Sequence, residues 1–209
     1  MFRLPLVFSA LIVLSASVLR ADPIPYSNPG TLAAASALTA TSTGDVTGYF
    51  AGQSSAHNSV VRLVDLTSGY VSAYFFTNHS TIDGTSANFG SVNAGDTLIF
   101  ELYNQTLGLT FATDPSHSVD GLNHGYEANF AGGFLNGVVL PSGVYIGMED
   151  LPGGGDLDYN DNTFLFTNVS IARATTTAAA TAPEPGSLVL LGTGVLGAAG
   201  ALRRKLATR

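Results

Sequence analysis

The chain has 209 residues, no cysteine, no tryptophan and a formal charge of −7, so it has neither a disulfide framework nor a thiol nucleophile. Residues 22–182 hold fourteen acids against only Arg62 and Arg173, a formal −12 for the stretch between the two terminal segments. No basic patch for phosphates can be built there, which excludes nucleic acid as a partner and makes divalent cations the natural counter-ions.

Residues 1–21 read as a secretory signal peptide. Arg3 precedes an apolar stretch over residues 4–14, and the small residues Ser15, Ala16, Ser17 and Ala21 follow. Cleavage is predicted between Ser17 and Asp22. Residues 22–44, rich in Pro, Ser, Thr and Ala, read as a linker in which residues 32–38 offer a short helix.

Alternating apolar runs with turn residues between them then predict strands over residues 46–53, 60–66, 70–76, 97–103, 107–112, 126–130, 143–148 and 163–171. The run Thr97-Leu98-Ile99-Phe100-Glu101-Leu102 puts large apolar side chains at even positions and aims Thr97 and Glu101 the other way. Asn93-Ala94-Gly95-Asp96 and Thr67-Ser68-Gly69 supply turn chemistry. Short strands without strong helices predict an all-β fold, an antiparallel β-sandwich of jelly-roll type over residues 45–171, as a single domain. About 160 residues suffice to bury one core.

The loop between the last two predicted strands is the one constellation with chemical capacity. Glu149, Asp150, Asp156, Asp158 and Asp161 bring five carboxylates together with Asn160, across the glycines 153–155. Asp156, Asp158 and Asn160 stand at i, i+2 and i+4, the spacing of the first oxygen ligands of a calcium loop. The loop is not an EF-hand, because Asp161 occupies the position that needs Gly and Thr167 the position that needs Glu. Glu149 or Asp150 is the candidate for the missing bidentate ligand. Carboxylates about 5 Å apart repel by roughly 1 kcal/mol in water and about 3 kcal/mol at an effective dielectric of 20, so a calcium ion at Glu149, Asp150, Asp156, Asp158, Asn160 and Asp161 is the expectation. The competing reading is a solvated turn whose Asp and Asn side chains cap their own backbone.

Asp114, Asp120, His124 and Glu127, with His117 beside them, form a second polar cluster, read as a surface loop, with added metal ligands or a boundary of the same site as the alternative. No Gly-x-Ser-x-Gly elbow is present. Glu101 is the isolated carboxylate candidate for glycoside chemistry. Tyr70, Tyr103 and Tyr145 are candidates for stacking on sugar rings.

Residues 172–182, with Thr175-Thr176-Thr177 and Ala178-Ala179-Ala180, read as a low-complexity stalk. The tail over residues 183–209 contains Pro183, Glu184 and Pro185, then a hydrophobic segment over residues 188–202, then Arg203, Arg204 and Lys205. As a helix the apolar segment spans about 22 Å, short of a bilayer core of about 30 Å but extendable by snorkelling basic stems. The terminal basic cluster predicts a cytoplasmic end and a body outside.

Two resemblances add to this reading. The tail resembles the PEP-CTERM sorting signal of exported Gram-negative proteins. The resemblance implies an exosortase-like membrane protease as partner, a transient inner-membrane anchor, and a final place at the cell surface or in the extracellular matrix. Gly143-Val144-Tyr145-Ile146-Gly147-Met148-Glu149-Asp150 with Gly153-Gly154-Gly155-Asp156-Leu157-Asp158-Tyr159-Asn160-Asp161, and upstream Asp120-Gly121-Leu122-Asn123-His124, resembles a domain of unknown function in bacterial exported proteins. That resemblance implies a β-rich, calcium-binding adhesive or matrix module with no assigned activity. The function expected is therefore a non-enzymatic exported module contacting exopolysaccharide. The alternative is a secreted glycoside-type hydrolase with a structural calcium.

Overall fold

The computed structural model describes residues 31–172. The predicted signal peptide, the stalk beyond Ala172 and the sorting tail with its helix lie outside the described residues. Among the described residues no helix is long and apolar enough to cross a membrane. Over the described residues the chain is all-β, and its sheets are antiparallel.

Twelve strands form among the described residues: β1 (Ala37–Ala40), β2 (Gly44–Gln53), β3 (Ser59–Asp65), β4 (Ser86–Val92), β5 (Thr97–Asn104), β6 (Leu109–Ala112), β7 (Gly125–Phe130), β8 (Gly133–Leu135), β9 (Val138–Leu140), β10 (Gly143–Met148), β11 (Asn162–Phe166) and β12 (Val169–Ala172). One sheet runs β12-β1-β5-β3, and β6 joins the edge of β5 that β1 leaves free. β1 takes Thr97 and Leu98 of β5, while β6 takes residues 101–104. Between them Thr113 serves Phe100, its hydroxyl accepting from the Phe100 amide and its own amide donating to the Phe100 carbonyl, both at 3.1 Å. The second sheet runs β4-β2-β11-β10-β7.

The two-residue period of the strands places one set of side chains from each sheet in a shared core. Leu63, Leu98, Phe100 and Leu102 meet Phe50, Phe89, Ile146, Met148, Phe164 and Phe166 there. Phe100 stacks on Phe166 with ring centroids 3.8 Å apart. Gly48 makes room for this, because a Cβ would run into the rings of Phe89 and Phe166. The opposite face of the second sheet is also covered: Ala51, Tyr145 and Leu165 pack under Leu135, Val138 and Leu140 of the β8–β9 hairpin. Tyr145, expected to face outward, is consequently buried.

The predicted strands 46–53, 60–66, 97–103, 107–112, 126–130 and 143–148 correspond to β2, β3, β5, β6, β7 and β10. Three differences have local causes. The predicted linker contains β1, whose Ala, Leu and Thr residues pair with β12 and β5 rather than forming a helix. The predicted strand 163–171 is two strands, because Asn168 adopts φ 60° and sends the chain from one sheet to the other. Residues 70–76 make only the isolated bridges Val61–Phe75 and Val64–Val71 along the edge of β3.

Candidate metal centre

β10 and β11 pair antiparallel from Val144–Phe166 to Met148–Asn162, and residues 149–161 connect them at one end of the sandwich. The backbone curls tightly: Gly153, Gly154, Gly155, Leu157 and Tyr159 all have φ between 54° and 83°. The three glycines adopt such angles without strain, whereas Leu157 and Tyr159 each cost about 1–2 kcal/mol there. Gly155 is required for a second reason, since a Cβ would sit 2.7 Å from Glu149 Oε2.

The curl brings Glu149, Asp156 and Asp158 together, with one oxygen from each within 4.8 Å of the others. Glu149 is fully buried, Asp158 half-buried and Asp156 exposed, so the site has a closed floor and an open mouth. Glu149 Oε1 accepts from the Tyr159 amide. Its Oε2 is buried with no hydrogen-bond partner. A buried carboxylate oxygen with no donor carries the full cost of its lost hydration.

The electrostatics follow from this crowding. Burial, with Asp161, Asp156 and Asp158 adding repulsion, pushes the Glu149 carboxyl up to about 8 against the backbone bond from Tyr159. Burial, then repulsion from Asp150, raises Asp161 to about 6. Asp158 is raised as well, by burial and by Asp156. Repulsion within the group is therefore greatest when all its carboxylates are ionised.

Of the six predicted ligands, Glu149, Asp156 and Asp158 converge. Asp150 is turned into the sandwich end, where its Oδ2 accepts from Ser55 Oγ at 2.6 Å and Ser59 Oγ at 3.0 Å. Its carbonyl accepts from Asn104 Nδ2 at 2.8 Å. Asp161 Oδ2 accepts from the Asp150 amide at 3.1 Å, linking the two halves of the loop. Asn160 donates to Asp158 from both its backbone and side-chain nitrogens, and its Oδ1 accepts from Ser54 Oγ. Asn160 thus orients Asp158 rather than joining it.

Two residues of the second polar cluster hold the loop from behind. Asp120 Oδ2 accepts from the Gly153 amide at 2.8 Å, and the Asp120 carboxylate pairs with His124 Nε2 at 3.1 Å. The Glu149 amide donates to the His124 carbonyl at 3.0 Å, and His124 Nδ1 lies 3.2 Å from the Glu149 carbonyl. The expected polar cluster around Asp120 therefore divides. Asp120 and His124 support the metal candidate, whereas Asp114 caps the 3-10 turn Pro115–His117. His117 lies against Glu101 at 3.0 Å, and Arg62 pairs with the same carboxylate at 2.6 Å. Glu127 is separate, its carboxyl pushed by burial up to about 7.

A family model matches the C-terminal tail of the chain. Residues 181–205 match the PEP-CTERM protein-sorting motif. The match covers Pro183, Glu184, Pro185, Arg203, Arg204 and Lys205, and with it the chain is an exported protein that passes through a membrane-anchored step and is processed by an exosortase-type membrane enzyme. No curated protein and no solved structure matches the chain.

Proposed function

We propose that the exported body is a non-enzymatic calcium-binding module of the cell surface or extracellular matrix. Glu149, Asp156 and Asp158 are the ligands, and Asn160, Asp161 and Asp150 support them. The orphaned buried oxygen of Glu149 carries this reading, because its carboxylate gathers with those of Asp156 and Asp158 and the oxygen needs a positive partner whenever it is ionised. An all-oxygen, open-mouthed set suits calcium, which tolerates irregular geometry, better than magnesium, which demands a near-ideal octahedron. Isothermal titration of the full-length chain with calcium tests it. Saturable binding that Asp156→Asn weakens supports the assignment, and absence of binding refutes it.

A second part of the proposal concerns exopolysaccharide. Tyr74 and Tyr103 lie side by side with ring centroids 5.8 Å apart, and the Arg62 guanidinium sits 4.8 Å over Tyr74. Rings with polar tips beside an ordered guanidinium offer both faces of sugar chemistry, apolar C–H and hydroxyl. Loss of retention on immobilised neutral exopolysaccharide in Tyr74→Ala and Tyr103→Ala supports this contact, and retention equal to the parent refutes it. Glu101 is committed to Arg62 and His117, which favours this reading over glycoside hydrolysis.

A further inference from the structure

The acidic loop does more than crowd its own carboxylates, because one of its residues reaches a distant part of the chain. Tyr159 is 3% exposed. Its amide donates to Glu149 Oε1, and its ring lies 6.1 Å from that of Tyr126. Its phenolic oxygen accepts from the Ala33 amide at 2.7 Å. The carbonyl of the same residue accepts from Asn123 Nδ2 at 3.0 Å. Asn123 is itself fixed by two bonds to the Gly125 backbone, at 2.7 and 3.0 Å. Both backbone groups of Ala33 are therefore read by side chains, one from the acidic loop and one from the loop before β7.

Residues 32–36 have no ladder partner, since β1 begins only at Ala37. A segment held by a few side-chain bonds rather than a sheet belongs to the low-stability end of a fold. Tyr159 is also one of the two non-glycine residues of the loop in the left-handed region, a conformation that persists only while its surroundings impose it.

We infer that cation occupancy at Glu149, Asp156 and Asp158 fastens residues 31–36 to the body through Tyr159. This rests on the calcium reading proposed above. With the cation present, Glu149 is held in place, and its Oε1 fixes the Tyr159 amide and so the position of the phenol. Without it the same bonds form but nothing holds the crowded carboxylates together, so the Tyr159 backbone and its grip on Ala33 open more often. The site becomes a latch for the segment by which the chain enters the domain, closed by a cation abundant outside the cell.

Hydrogen–deuterium exchange of the full-length chain in mild detergent tests this, with excess calcium or with EGTA and calorimetric titration in parallel. Calcium should slow exchange across residues 31–36 by about tenfold. Tyr159→Phe, which keeps the ring and the amide bond to Glu149, should lose that protection while binding calcium as the parent does. Ala33→Pro removes the donor from the other side and should give the same loss. Calcium binding with unchanged exchange at 31–36, or full protection in Tyr159→Phe, overturns the latch and leaves the metal site standing. Absence of calcium binding overturns both.

Discussion

Replacing Glu149 by Gln separates a cation site from a self-capped acidic turn. In the calcium-free protein at neutral pH the Glu149 carboxyl, raised to about 8, holds its proton, so Gln is a near isostere. Its amide oxygen still accepts from Tyr159, and its NH2 faces the acids of the loop. Glu149→Gln should therefore shift calcium-free stability by no more than about 1 kcal/mol. Calcium changes the comparison. With dissociation constants of extracellular modules, about 10⁻⁴ to 10⁻³ M, a hundredfold excess stabilises the native state by about 2.7 kcal/mol. At about 2–4 °C per kcal/mol for a domain of this size, the parent Tm rises by about 5–10 °C. The variant, without its buried anionic oxygen, shows almost no rise. Differential scanning calorimetry of both proteins in EGTA and in calcium reads the four values. A parent Tm that calcium leaves unmoved, or a variant that responds as fully as the parent, refutes the reasoning.

Three further outcomes follow from the same geometry. Glu149, Glu127 and Asp161 have folded values of about 8, 7 and 6, above their ordinary 4.5, 4.5 and 3.8. The native state thus retains protons that the unfolded chain has released, and calcium-free stability falls as pH rises between about 4.5 and 8. Tm measured against pH should show that fall in EGTA and a shallower one in calcium, which replaces the Glu149 proton; a rising calcium-free profile would contradict the assignment. Gly155→Ala places a Cβ 2.7 Å from Glu149 Oε2 at a φ of 57°, so it should cost about 1–3 kcal/mol and weaken calcium binding in a titration. Glu184→Ala, within the matched sorting motif, should leave the tail uncleaved and the chain membrane-bound, as intact-mass measurement and cell fractionation will report.

Sequence pattern exposed the sandwich wherever alternation was strong, as in Thr97–Asn104 and Gly143–Met148. It hid β1 and β4, whose small and polar residues carry little periodic signal and whose strand character comes from their neighbours. At the candidate site the i, i+2, i+4 spacing points to Asp156, Asp158 and Asn160; the first two gather with Glu149, while Asn160 bonds to Asp158 instead. The left-handed turns at Leu157 and Tyr159, which decide where each side chain points, have no signal in residue type. Asp150 points away from the gathered carboxylates for a more legible reason. Strand alternation runs past Met148, so Asp150 shares the inward face of Met148, and Glu149 does not. The bonds of Asp120 and His124 to the loop depend on the folded path of a separate connection, which residue spacing does not encode.

A crystal structure of the calcium-loaded protein, with anomalous data to identify the ion, tests the central claim most directly. The account predicts a calcium ion bound at about 2.3–2.6 Å by Glu149 Oε2 and the carboxylates of Asp156 and Asp158, with waters completing its shell. Glu149 Oε2 still without a partner at saturating calcium, or an ion bound elsewhere, would contradict it.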